Sequence, residues 1–167
     1  ANYFYLDELN KHGIKLYAEP ISSDAGTAIG AAYIAHHQIT NSEKVLPFAD
    51  SLYLGPSYAY DDKEIGHLAD TYGATLEKVE MEDVVKLMCE KNIVAMFQGR
   101  SEAGPRALGN RSLMYDPTDP NGKDHVNKVK RREYFRPFAG TILAEHAEEW
   151  FDMRGMKDSP HMMYAMN

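Results

Sequence analysis

Apolar residues recur along the chain with two different periods, and the alternation between them predicts an α/β architecture. Met81 to Glu90 sets Val84, Val85, Leu87 and Met88 on one helical stripe, and Asp62–Ala69 and Lys123–Lys130 read as further helices. Asn92 to Gln98 is instead a continuous apolar run closed by Gly99, the pattern of a buried strand. Gly13–Ala18, Ala74–Val79, Ser112–Tyr115 and Gly140–Ala144 read as other short strands. Ser22-Ser23-Asp24 offers a helix start with Asp24 as N-cap, and Ala25 to Ala35 continues it in small residues. Glycines weaken such a helix by roughly 1 kcal/mol each, and they admit the close approach of another backbone. Pro47, Pro56 and the turn Gly55-Pro56-Ser57 mark residues 41–60 as a connecting segment.

At 167 residues and 44% hydrophobic content the chain suits one domain, or one domain plus a piece of another. No apolar run approaches the roughly 18 residues of a membrane span. Ala1-Asn2-Tyr3-Phe4-Tyr5 lacks the basic and apolar regions of a signal peptide. The lone Cys89 excludes an internal disulfide and a cysteine metal cluster. A cytoplasmic protein is expected, with no membrane partner. His36 and His37 are adjacent and cannot face one metal together, His125 and His161 are isolated, and no nucleophile–base pair is visible.

Charge changes the picture more than composition does. The net charge of −7 disfavours a general nucleic-acid binder. Yet residues 100 to 136 hold nine Lys/Arg and five Asp/Glu, and six of the seven arginines. Arg100, Arg106 and Arg111 stand among Gly99, Gly104-Pro105 and Gly109-Asn110, a spacing that no single helix face collects. Turns at these glycines can fold the guanidiniums toward one point, where with the Ser112 hydroxyl they would hold a phosphate. Glu102 is expected to orient an arginine there. Farther on, Lys130 and Arg132 share a face if the chain is extended, and Arg136 lies between Phe135 and Pro137-Phe138 in what reads as a partly buried site. A basic locus on an acidic body suits a small anionic ligand. Without Lys-Ser/Thr after the glycines it is not a P-loop.

Gln98 through Ser112, and Asn127 through Lys130-x-Arg132-Glu133-x-Phe135-Arg136-Pro137-Phe138, closely resemble the hallmarks of the NodU/TobZ-type O-carbamoyltransferases. Ser23-Asp24-Ala25-Gly26-x-Ala28-Ile29-Gly30 is similar to the end of that family's N-terminal domain. The resemblance implies residues 1–40 as the remnant of a TsaD-like domain of actin/Hsp70-type ATPase fold. It implies 41–60 as connection, and 61–167 as the first part of a YrdC-like twisted sheet with flanking helices. It also implies formation of carbamoyl-adenylate from carbamoyl phosphate and ATP with Mg, then transfer to an acceptor hydroxyl. Lys130 and Arg132 take the catalytic role. Arg100, Arg106, Arg111, Ser112, Lys130, Arg132 and Arg136 take substrate binding. Asp24 matches a ligand of iron or another divalent metal in the N-terminal domain of the intact enzyme. The family's histidine metal ligands and its later Gly-Thr-x-Arg and Asn-Thr-Ser-Phe-Asn motifs are absent, so a fragment without turnover of its own is expected. The rivals are an RNA-binding YrdC-like module of tRNA modification and a hydrogenase-maturation carbamoyltransferase, whose cysteine-rich zinc segments are not seen. Neither the acceptor nor the oligomeric state is legible.

Overall fold

A computed structural model describes residues 2–42, 44 and 51–166. Pro47 of the connecting segment lies outside them. Contacts divide the chain into two units that interleave in sequence. One gathers Ala1–Leu54, Glu102–Leu108 and Ala139–Asn167; the other gathers Gly55–Ser101 and Gly109–Phe138. The family-domain boundaries at 40 and 60 are a different division and remain an expectation.

In the first unit, helix α1 (Asn2–Lys11) buries Leu6. Its Asp7 pairs with Arg154, and Asn10 Nδ2 donates to the Arg154 carbonyl at 3.0 Å. Helix α2 spans Asp24–Thr40, with Ser23 rather than Asp24 at the N-cap. Asp24 is the first helical residue, where a carboxylate favours the positive end of the dipole. The glycine at 26 has a local cause: a Cβ there would fall 2.1 Å from the Ile21 carbonyl oxygen. The close approach is thus to the turn that enters α2, and no separate element is needed to explain it. Leu6, Ile21, Leu52, Ala147 and Met153 are the buried apolar residues of this unit among those described. The predicted strand Gly13–Ala18 is irregular chain that begins in a turn at Gly13 (φ +68°) and is held by Tyr164, whose hydroxyl donates to Leu16 O and accepts from Ala18 N. Gly140–Ala144 also forms no strand; it runs into a 3-10 turn (Ala144–His146) and the short helix α3 (Ala147–Trp150).

The second unit holds helices α4 (Asp62–Tyr72), α5 (Met81–Cys89) and α6 (Gly122–Val129), close to their predicted bounds. Asp61 caps α4 by accepting the Glu64 N–H at 2.8 Å, and Gly73, at φ +64°, ends it in the left-handed region. Asp83 Oδ2 accepts the Glu80 N–H at the start of α5. Strands β1 (Val94–Ala95) and β2 (Leu113–Met114) pair antiparallel, Val94 opposite Met114 and Ala95 opposite Leu113. Met96 N to Ser112 O at 2.7 Å and Gln98 N to Asn110 O at 3.1 Å continue the ladder toward the arginine loop.

The segment is α/β, but its strands correct the sequence reading. Ala74–Val79 forms none. Asn92–Gln98 contributes two strand residues and is not buried: Ala95 is exposed and Phe97 is 58% exposed. A continuous apolar run is buried when both faces of its sheet are covered. Here β1 has one partner strand, and Val126 is the one fully buried hydrophobic of this unit among the described residues.

Candidate functional site

The glycine-rich loop owes its shape to two arginines that spend their donors on backbone. Arg111 Nη1 donates to Gln98 O at 2.6 Å and to Asn110 O at 2.9 Å, and Nη2 donates to Gly99 O at 3.2 Å. Its guanidinium lies 3.7 Å from the centroid of Phe97, a cation–π contact. Arg100 Nε donates to Gly55 O at 2.9 Å, while Asn110 Nδ2 donates to Arg100 O at 2.7 Å. Gly99, at φ +50°, lies so near Asn110 that a Cβ would meet its Nδ2 at 3.1 Å. Ser112 Oγ accepts the Gly109 N–H at 3.0 Å. Arg100, Arg111 and Ser112 are therefore brought together at the hairpin base, with part of their capacity already used on the loop itself.

Arg106 stands in the 102–108 segment, which belongs to the first unit. Glu102 Oε1 accepts the Leu108 N–H at 2.7 Å, so this carboxylate orients the backbone that carries Arg106. Arg106 is exposed and makes no hydrogen bond or ion pair among the described residues.

The second basic group sits at the end of α6. Lys130 is its C-cap in right-handed helical conformation, and Arg131 follows at φ +50°. The expectation of an extended chain, with Lys130 and Arg132 on one face, is thus overturned. The helix ends through backbone bonds from Lys130 N to Val126 O, Arg131 N to Lys128 O and Arg132 N to Asn127 O, and these turn the chain instead. Arg132 donates from Nε to Asn127 Oδ1 and from Nη2 to Pro137 O at 3.3 Å, and packs 4.2 Å from the Phe138 ring centroid. Arg136 pairs with Glu133, Nε to Oε2 at 2.7 Å. Lys130 and Arg131 are exposed and have no such partner among the described residues. Phe135, expected to be partly buried, is 65% exposed, and Tyr134 is 75% exposed. The apolar surroundings inferred for Arg136 are therefore not present.

Two expected outcomes follow from this geometry. A left-handed conformation costs an L-residue roughly 1–2 kcal/mol, so Arg131→Gly should stabilise the protein by about 1 kcal/mol. A urea midpoint that falls instead would show that the Arg131 side chain supports the loop. For Glu133, its own backbone N–H and the Arg136 guanidinium hold the carboxyl below the usual glutamate value. The pairing is then complete above the ordinary glutamate pKa and is lost as pH falls through the lowered folded value. A carboxyl NMR titration should show Glu133 titrating on the acid side of a free glutamate; an ordinary midpoint would remove the pair from the loop's support.

Asp24 is exposed, and the described residues include no group of three His, Cys, Asp or Glu suited to a metal. One carboxylate does not make a metal site, and no step is derived through one. A separate cleft of about 560 Å³ in the first unit is lined by Tyr17, Leu52, Lys157, His161 and Tyr164, among others, and by none of the basic site residues. No helix among the described residues is long and apolar enough to cross a membrane.

Residues 85–167 match the family model described as Carbamoyltransferase C-terminus. Both arginine groups fall inside the match; Asp24 falls outside it. Nodulation protein U of Sinorhizobium fredii is 34% identical over 149 residues, covering 89% of this chain and 25% of that protein. Nodulation protein NolNO of the same organism is 35% identical over 143 residues, covering 83% of this chain and 21% of that protein. The chain belongs to the NodU-type carbamoyltransferase family. An uncharacterized protein of Synechocystis is 36% identical over 156 residues, 89% of this chain and 25% of its own length. The chain thus spans about a quarter of the length of these curated relatives.

Within this segment the structure adds contacts that the sequence reading did not assign: Asn110 and Asn127 tie backbone, and Phe97 and Phe138 each lie against a guanidinium. The two asparagines carried a signal. Each stands beside or just before the arginine motif whose backbone it ties, and Asn127 lies on a helix side otherwise buried through Val126.

Proposed function

We propose that the intact protein is an ATP-dependent O-carbamoyltransferase, and that the basic loops of this chain bind carbamoyl phosphate and the phosphoryl part of a carbamoyl-adenylate. The observation that carries the reading is the match of residues 85–167 to the Carbamoyltransferase C-terminus, which contains both arginine groups. In the chemistry proposed, carbamate freed from carbamoyl phosphate by water, with release of inorganic phosphate, attacks the α-phosphorus of ATP through one oxygen; the new O–P bond forms as the bond from the α-phosphorus to the bridging oxygen breaks, and pyrophosphate leaves. The acceptor hydroxyl then takes the carbamoyl group and AMP is released. Charge builds on the phosphoryl oxygens in the first step, and preorganised cations stabilise it. Arg111 and Arg132, half-buried and bonded to backbone or to Asn127, supply the rigid frame. Arg106 and Lys130 supply exposed charge that no described group neutralises.

In this reading residues 61–167 form the first part of a YrdC-like domain and 1–40 the end of a TsaD-like one. Asp24 contributes to a metal site only together with ligands from elsewhere in the intact protein. The protein works in the cytoplasm on small molecules.

One observation favours the RNA-binding alternative: Tyr134 and Phe135 are exposed beside Arg131, Arg132 and Arg136, as stacking platforms are. Calorimetry on the intact protein separates the two. Carbamoyl phosphate or pyrophosphate should bind at moderate salt, and a tRNA mixture only weakly. Tight tRNA binding that collapses with salt, with no response to carbamoyl phosphate, would establish the RNA module instead.

A further inference from the structure

The most deeply buried polar side chain described in this chain belongs to Asn127, at 1% exposure, on the last turn of α6. Burial of an amide is costly unless its donors and acceptor are used. All of them are. Nδ2 donates to Tyr134 O at 3.2 Å and to Arg136 O at 3.0 Å, and Oδ1 accepts from Arg132 Nε. The Asn127 carbonyl also accepts the Arg132 N–H at 3.1 Å. One residue therefore fixes the backbone at two points beyond the helix and fixes the guanidinium between them. An apolar residue here would leave two carbonyls and one Nε–H without these partners. A glutamine would carry its amide one methylene too far.

We propose that Asn127 is the positioning residue of the basic loop, acting through Arg132 to hold the site at which an anionic carbamoyl donor binds; this rests on the function proposed above. Asn127 orients Arg132 by its Nε edge, and Nη2 is drawn toward Pro137 O. The planar fork is then locked about its own axis, which leaves Nη1 as the group to meet a phosphoryl or carbamoyl oxygen. The same asparagine holds the carbonyl of Arg136, so the two arginines of the loop keep a fixed relation. No other polar side chain in the loop is as buried.

Two measurements on the intact protein test it. The first needs no activity: phenylglyoxal labelling mapped by mass spectrometry. Arg132 should be protected in the wild type and labelled at least fivefold faster in Asn127→Ala, with Arg111 unchanged. Asn127→Asp keeps an acceptor for Arg132 Nε and should retain most of the protection. Faster labelling of Arg111 and Arg132 alike would mean general loosening and would overturn the proposal, as would an unchanged Arg132. The second is carbamoyl-phosphate-dependent ATP–pyrophosphate exchange. Asn127→Ala should raise KM for carbamoyl phosphate by roughly 10- to 100-fold, with a smaller change in KM for ATP, and Asn127→Asp should recover part of it. Equal changes in both KM values, with no rescue, would reduce Asn127 to a structural residue. Absence of exchange in the wild type would sink the proposed function, while the labelling result would still decide whether Asn127 holds Arg132.

Discussion

Replacing Lys130 or Arg106 by alanine in the intact protein is expected to cut carbamoyl-phosphate-dependent ATP–pyrophosphate exchange by roughly 30- to 1000-fold. Arg131→Ala should stay within about fivefold of wild type. Removing a charge-assisted contact to a phosphoryl group in the transition state costs about 2–4 kcal/mol. Loss of an exposed arginine without such a contact costs under about 1 kcal/mol. Lys130 and Arg106 are exposed cations whose charge no described hydrogen bond or ion pair consumes. Arg131 is equally exposed, but it fills the unspecified position of Lys-x-Arg and its backbone makes the left-handed turn. Similar losses in all three variants would point to a diffuse charge field; a large loss in Arg131→Ala alone would place the ligand on the other side of the loop.

Arg111 should behave differently, because its donors face the protein. Arg111→Ala is expected to lower stability by roughly 2–3 kcal/mol, since charged donors leave the carbonyls of Gln98, Gly99 and Asn110 and the Phe97 ring loses its cation. Arg111→Lys should recover little of this. An ammonium is a compact point donor and cannot span three carbonyls while lying flat on a ring. The urea midpoint of the intact protein measures both variants. Full recovery by lysine would show that charge alone matters at this position.

These two expectations divide the arginines in a way the sequence could not. The cluster was legible, because Arg100, Arg106 and Arg111 stand among glycines at a spacing that no helix face gathers, with three more arginines close behind. Which of them face a ligand was not legible. A guanidinium serves a carbonyl as well as a phosphate, and only the fold shows that Arg100 and Arg111 are turned onto backbone oxygens. Asn127 went without a role for a related reason: its place just before the Lys-x-Arg motif does not say which carbonyls and which guanidinium its amide meets. Among the elements, α2, α4, α5 and α6 could be read from local signals such as the Asp61 cap and the Val84–Met88 stripe. The strands could not, because a strand depends on a partner remote in sequence. Ser112–Tyr115 found one in Val94–Ala95, whereas Gly13–Ala18, Ala74–Val79 and Gly140–Ala144 did not.

The interleaving of the two contact units has a practical consequence for anyone dissecting the protein. The chain passes from one to the other after Leu54, Ser101, Leu108 and Phe138. No single proteolytic cut releases either as one uninterrupted polypeptide, and trimming from either end removes first-unit residues before it reaches the second. The seven residues from Glu102 to Leu108, with Arg106 among them, count by contacts with the first unit although both of their flanks belong to the second. A graft of the arginine motif into a homologue must therefore bring along the surroundings of both, or it will transplant the letters of the motif without the contacts that give them shape.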